Sequence, residues 1–160
     1  VKEICGKIAA ISISEKTGTQ KMNIRAATVR EQWGIEGDAH AGEWHRQVSL
    51  LAMESIDKIR ARGLAVDPGA FAENITTIGV DLVSMTPGDS LFVGEAELEI
   101  TQIGKECHTR CSIYYLAGDC VMPREGVFAR VLRGGVIRVG DSIIASRVSG
   151  RTVTVGDGVL

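Results

Sequence analysis

The segment GKECHTRCSIYYLAGDC, residues 104–120, holds three of the chain's four cysteines and one of its three histidines. Thiols at this density can form a metal cage, a redox pair, a sulfur shuttle or plain apolar packing. Cys107, Cys111 and Cys120 are spaced C-x3-C-x8-C. That is neither the paired C-x2-C of zinc knuckles nor the C-x2-C of a thioredoxin-like βαβ unit. A zinc or iron site using all three would need a fourth ligand, for which His108 and His40 are the candidates. Taken singly, Cys111 and Cys120 read equally well as small buried hydrophobes. Cys107 differs because it follows the strand-like ELEITQIG directly, with Lys105, His108 and Arg110 within three positions. Nearby cations favour the anion of a thiol whose ordinary pKa is ~8.5, and the thiolate is both the nucleophile and the soft metal ligand. Cys5 sits in an Ile-rich stretch and reads as packing.

Three further segments carry polar groups. In GIEGDAHAGEWHRQVSL, glycines including Gly37 let a loop turn tightly and bring backbone N–H groups to an anion. Asp38, His40, His45 and Arg46 lie beside them. His40 and His45 are five apart, which is not the i,i+4 spacing of helical zinc ligands. In AFAENI, Glu73 and Asn74 follow the apolar anchor Phe71 and read either as site groups or as local backbone caps. Arg124 and Arg130 can grip a phosphate in a forked geometry or simply face solvent from a strand. The cysteine region is also locally basic. From 105 to 138, Lys105, Arg110, Arg124, Arg130, Arg133 and Arg138 stand against Glu106, Asp119 and Glu125. In a chain of net charge −2, that distribution suits an anionic ligand but not indiscriminate nucleic-acid binding.

Short strands and tight turns must position these groups. ICGKIAAISIS reads as an opening strand, and a second is expected near Ile24 to Val29. SLLAMESIDKIRARG is the one clear helix, with Ser49 as its cap and Gly63 as its terminator. Asp67-Pro68-Gly69 is a turn, and AFAENI reads as a single helical turn leading to a strand. TPGDSLFVGEAELEITQIG predicts a hairpin turning at Gly94-Glu95, with Ala96, Leu98 and Ile100 inward. GVFARVLRGGVIRVGDSIIAS predicts another around Gly134-Gly135. GDSLFV and GDSIIA reuse one device, an Asp bonding its own turn ahead of a strand.

With 160 residues, 44% of them hydrophobic, 4% aromatic and 19 glycines, the chain is expected to fold as one mainly β, barrel-like domain over residues 1–147. Residues 148–160 read as a tail or the start of a linker or second domain. No apolar run reaches the ~18 residues of a membrane span, and no signal-peptide pattern opens the chain. The expectation is a cytoplasmic protein with reduced thiols and no membrane partner.

Taken together, GIEGDAHAG, RQVSLL with its helix, PGAFAENITTIGVDL, PGDSLFVGEAELEITQIGKEC and GVFARVLRGGVIRVGDSI resemble, in this order, the MOSC family, the domain named for the C-terminal part of molybdenum cofactor sulfurases. The likeness runs from residue 4 to 145 and is greatest to the small stand-alone bacterial type. It implies a closed, strongly bent β-barrel of the pyruvate-kinase-barrel kind with peripheral helices. It also implies the molybdenum cofactor (molybdopterin) as ligand, with no pyridoxal phosphate site in this chain itself. The family's characteristic cysteine falls on Cys107, and its pocket falls on the glycine loop and FAEN segment, hence on Gly37, Asp38, His40, Arg46, Glu73 and Asn74. Cys111 and Cys120 depart from the family pattern, as groups that resolve a persulfide or add metal ligands.

The function implied is a sulfur carrier. Cys107 would accept persulfide sulfur from a cysteine desulfurase-like donor, Lys105, His108 and Arg110 would keep it ionised, and cofactor biosynthesis proteins or molybdoenzymes would be the further partners. One alternative is a reductase of N-oxygenated compounds with Cys107 as metal ligand, which would need an external electron donor because the chain has no ferredoxin-type cysteine set. Another is a zinc- or iron-binding structural module. The tail RTVTVGDGVL is similar, over ten residues, to the first strand of molybdopterin-adenylating domains, which implies a following cofactor-assembly domain.

Overall fold

The structure, a computed structural model, describes residues 2–17, 19–105 and 122–148. The Ile-rich opening forms one long strand, β1 (Lys2–Ile13). Its first half pairs with β11 (Ser142–Ser146), and its second half with β6 (Ile75–Ile78) and β2 (Met22–Ile24). A strand can serve several neighbours in this way only if it bends. Bulges between Ile4 and Gly6 and between Ile8 and Ala10 supply the bend. Gly6 lies so close to β6 that a Cβ there would stand 2.0 Å from the Ile78 carbonyl oxygen.

The remaining strands are β3 (Ala26–Arg30), β4 (Gly34–Ile35), β5 (Val48–Ala52), β7 (Ser90–Val93), β8 (Ala96–Ile103), β9 (Val127–Arg133) and β10 (Gly135–Arg138). The hydrogen-bonded order β11-β7-β8-β9-β5-β6-β1, closed by β1–β11, is a seven-stranded barrel, with β2 added at the edge. Among the described strands all pairs are antiparallel except β5–β6, whose crossover carries helix α1 (Met53–Arg60). A second sheet, β10-β3-β4, caps one side. The expected mainly β barrel is what the chain forms.

Side chains alternate between two cores. Leu50, Ile75, Leu98, Ile100 and Val131 fill the barrel. Leu51 and Phe128 point outward, where they meet Ile56 and Ile59 of α1, Phe71, and Met122 of the short helix α2 (Met122–Glu125). β5 is therefore buried on both faces, and its apolar run shows no alternation.

The β7–β8 hairpin forms as expected, with Ala96, Leu98 and Ile100 at most 1% exposed. The two GDS turns share one bond: Thr86 N donates to Asp89 Oδ2 (2.9 Å) and Arg138 N donates to Asp141 Oδ2 (2.8 Å). The strands they launch, β7 and β11, pair with each other.

Four local expectations need correction. Ser49 does not cap the helix: it lies within β5, and α1 begins at Met53 behind Ala52 with no side-chain cap. The strand expected near Ile24 to Val29 is two strands, broken at Arg25. Gly134-Gly135 is not a hairpin turn, because β9 pairs with β8 and β5 while β10 crosses to β3. AFAENI makes turns and no helical turn before β6. At the other end Val148 N donates to Asp89 Oδ1 (2.9 Å), so the last described residues lie back on the barrel. The remainder of the tail lies outside the described residues.

Candidate functional site

The glycine loop after β4 is fixed from beneath by a buried ion pair. Lys21 Nζ donates to Asp38 Oδ1 (2.7 Å) and to Ser14 Oγ (3.0 Å), and both charged side chains are fully buried. Asp38 also accepts the N–H groups of Ser14 (3.1 Å) and His40 (3.0 Å). Burial pushes the Asp38 carboxyl up, but the Lys21 bond and charge, with those two N–H groups, outweigh it and hold the carboxyl below its ordinary 3.8. His40 is also shifted down from its usual range, but for a different leading reason. Burial first, then the Lys21 charge, drive it below 6.5 against the opposing pull of Asp38. Its Nδ1 is buried without a hydrogen bond, 3.8 Å from Asp38 Oδ2.

The PGAFAEN turn is held from within. Glu73 accepts Gly69 N on Oε2 (2.7 Å), Phe71 N on Oε1 (3.2 Å) and the Thr76 hydroxyl on Oε2 (3.1 Å). Asn74 joins three strands, accepting Ser49 N on Oδ1 (3.0 Å) and donating Nδ2 to Ser12 O (3.1 Å). Both residues are 0% exposed, and these bonds hold the turn from inside.

Glu73 carries a pH signature. Burial holds its carboxyl above the ordinary 4.5, partly offset by the hydrogen bonds it accepts. A carboxyl raised in the folded state contributes stability that is full below its unfolded pKa and is lost as pH rises through its folded one. The stability advantage of the wild type over Glu73→Gln, which cannot titrate, should therefore be largest near pH 4.5 and shrink to a plateau above. Urea unfolding of both proteins from pH 4.5 to 8 measures it, and a gap that widens with pH would refute the assignment.

Between these two supports opens a cleft of about 150 Å³ lined by His40, Trp44, Arg46, Ser49, Phe71, Ala72, Lys105, Met122 and Phe128. The loop supplies His40, Trp44 and Arg46, the turn supplies Phe71 and Ala72, the chain just past β8 supplies Lys105, and the outer core supplies the floor. The Arg46 guanidinium is 4.7 Å from the Trp44 ring centroid and 5.4 Å from that of Phe128, and its Nε is buried with no hydrogen-bond partner. Trp44 is itself pinned by Nε1 donating to His40 O (2.8 Å). Among the described lining residues there is no carboxylate, and Arg46 and Lys105 make that described lining positive. A larger hollow of about 410 Å³ between α1 and the segment 79–83 after β6 is lined by Glu54, Asp81 and Glu125 with Lys58, a poor setting for an anion.

Residues 37–144 match the MOSC domain family. The chain belongs to the MOSC family. The match spans the glycine loop, the Glu73 turn and the Lys105 strand end, and membership implies a function related to the molybdenum cofactor. Among solved structures, the YUAD protein from Bacillus subtilis is similar at TM-score 0.75 and 19% identity, covering 91% of this chain and 98% of its own. YiiM from Escherichia coli is similar at TM-score 0.63 and 22% identity over 93% of this chain and 73% of its own. YiiM from Geobacillus stearothermophilus is similar at TM-score 0.58 and 20% identity over 100% and 79%. At these identities the likeness shows the fold. No curated protein sequence matches.

Of the site residues expected from sequence, this MOSC barrel brings His40, Arg46 and Lys105 to one cleft, with Asp38 directly beneath. Glu73 and Asn74 support its wall from inside. Gly37 is exposed and borders another hollow, beside Lys16 and Met22. Arg130 is bound on the barrel surface to Glu99 (2.5 Å), and the exposed Arg124 does not line the cleft. His45 lies at the rim, its Nε2 2.8 Å from Gln102 Oε1. Cys107, His108, Arg110, Cys111 and Cys120 lie outside the described residues, and Cys107 follows Lys105 by two positions in the chain. Among the described residues no cluster could hold a metal ion, and no helix is long and apolar enough to cross a membrane.

Sequence reasoning passed over Lys21, Trp44, Met122 and Phe128. Trp44 had a signal, an aromatic ring two positions before an arginine in a glycine-rich loop. Lys21 had none, because its partner is 17 positions away.

Proposed function

We propose that this MOSC protein is a sulfur carrier for maturation of the molybdenum cofactor, with Cys107 as the residue that carries sulfur. The observation behind this reading is the positive cleft with an unpartnered Arg46 Nε, bordered by Lys105 at the entry to the cysteine segment. Arg46 and Lys105 would hold an anionic end of the cofactor, with Trp44 and Phe128 fixing the guanidinium plane. A cavity of about 150 Å³ suits one such end, since whole small ligands take ~300–1,000 Å³. When bound, the cofactor supplies the metal centre that accepts sulfur.

The transfer itself needs little machinery. The Cys107 thiolate attacks the outer sulfur of a persulfide on a cysteine desulfurase-like donor. The donor's S–S bond breaks, the donor leaves as a thiolate, and a new S–S bond forms on Cys107. Nearby cations favour the attacking thiolate.

Protein incubated with a cysteine desulfurase and free cysteine, then freed of the donor, is expected to release about one equivalent of sulfur to cyanide, as a single-thiol shuttle requires. Cys107→Ser is expected to fall to background, while Cys111→Ser and Cys120→Ser retain the label. Equal labelling of Cys107→Ser would end the proposal. Stoichiometric molybdenum in natively purified protein would point instead to a resident cofactor with Cys107 as metal ligand, and so to the reductase.

A further inference from the structure

One buried residue supports both walls of the cleft, one through its backbone and the other through its side chain, without lining it. Lys21 lies between β1 and β2. Its backbone N–H donates to Gly69 O (3.0 Å). Its own carbonyl packs against Gly69 so closely that a Cβ there would stand 2.4 Å away, at a backbone φ of +96°. Gly69 N and Phe71 N are in turn gathered by Glu73, so the wall carrying Phe71 and Ala72 rests on the Lys21 backbone. The ammonium goes the other way, to Asp38 and Ser14, and Asp38 Oδ2 accepts the N–H of His40 on the facing wall.

We propose that Lys21 is a positioning residue for the cleft: it joins the two walls and sets a buried positive charge behind His40, so that His40 meets an anionic ligand as a neutral hydrogen-bonding group. This rests on the reading of the cleft as an anion site. Among the described residues, the charged groups acting on His40 are Lys21, Asp38, Lys105 and Arg46, three cations against one anion. Burial, and after it the Lys21 charge, keep the imidazole below its ordinary pKa, and the Asp38 charge opposes them. A neutral imidazole beside Arg46 avoids packing a third cation into a narrow cleft, and its nitrogens can still accept or donate.

The inference is tested on His40 directly, by NMR titration of wild type, Lys21→Met and Lys21→Met/Asp38→Asn. Removing Lys21 alone leaves a bare carboxylate beside His40, so the His40 midpoint should rise most in Lys21→Met. It should rise less in the double variant, because the Lys21 charge outweighs that of Asp38. Binding of sulfate, whose charge is constant over this range, should tighten on acidification at a correspondingly higher pH in both variants. If Lys21→Met does not fold, the double variant carries the test, since removing both members of a buried pair avoids the uncompensated charge. A folded variant whose His40 midpoint stays at the wild-type value overturns the inference, as does wild-type protein that binds no sulfate. Neither readout passes through Cys107, so a failure of sulfur transfer is distinguishable from a failure of this role for Lys21.

Discussion

Asn74→Ala is expected to cost about 2–5 kcal/mol of stability, at ~1–3 kcal/mol for each buried group left without a partner. With ~2–4 °C per kcal/mol for a domain of this size, the midpoint should fall by roughly 5–15 °C. The side chain is 0% exposed where β1, β5 and β6 meet. Its Oδ1 takes Ser49 N and Ser49 Oγ (3.2 Å), and its Nδ2 reaches Ser12 O. Alanine leaves the Ser49 N–H and the Ser12 carbonyl unpaired, in a place that water reaches only by parting the strands. Asn74→Asp should do no better: it keeps the acceptor, replaces the donor with a second acceptor facing Ser12 O, and adds a buried charge. Thermal and urea unfolding would decide. A loss below ~1 kcal/mol, the net worth of one ordinary hydrogen bond, would mean that the three strands are held without this residue. Part of the loss should also appear at the cleft, because Ser49, its partner, lines it.

The same residue shows why parts of the sequence were readable and others were not. The β7–β8 hairpin and the two GDS turns are local: alternation and a short Asp-to-backbone bond need only a few neighbouring residues, and they formed as read. SLLAMESIDKIRARG misleads at its start because β5 is covered on both faces, by the barrel interior and by α1. A doubly buried strand is an unbroken apolar run, and such a run joins smoothly to the helix that follows. Ser49 then looked like a helix cap, when its hydroxyl is taken up with Asn74, 25 positions away. Gly134-Gly135 failed for a related reason. Two strands that flank a Gly-Gly step look like hairpin arms, yet the partner of β10 lies in β3, about a hundred residues back.

For the site, the glycine loop announced an anion-friendly surface, and Arg46 and His40 do face one cleft. For Glu73 and Asn74 the sequence leaves two readings open, because polar residues after an aromatic anchor look the same whether they point at a ligand or at backbone amides. Only the count of bonds each one makes separates the two roles.

Arg46 sits on the other side of that division, and Arg46→Met is expected to keep or raise the melting temperature while lowering sulfate affinity about 10- to 150-fold. The magnitude follows from ~1.5–3 kcal/mol for a hydrogen bond to a charged group, at ~1.4 kcal/mol per tenfold in affinity. A structural arginine would have its nitrogens satisfied. Here Nε is buried beside Trp44 and Phe128 with no hydrogen-bond partner among the described residues, an arrangement that costs stability unless a ligand supplies the acceptor. Methionine preserves most of the stem that packs on the two rings and removes the buried donor that has no partner among the described residues. Arg46→Lys keeps a charge but neither the plane that stacks on the rings nor the fork, so it should recover only part of the binding. Calorimetric titration with sulfate beside thermal unfolding reads both quantities on one sample. A variant that melts several degrees lower yet binds sulfate as wild type does would make Arg46 a packing residue and leave the cleft without its principal anion ligand. Opposite signs on the two axes, stability held and binding lost, are what a residue kept for its ligand must show.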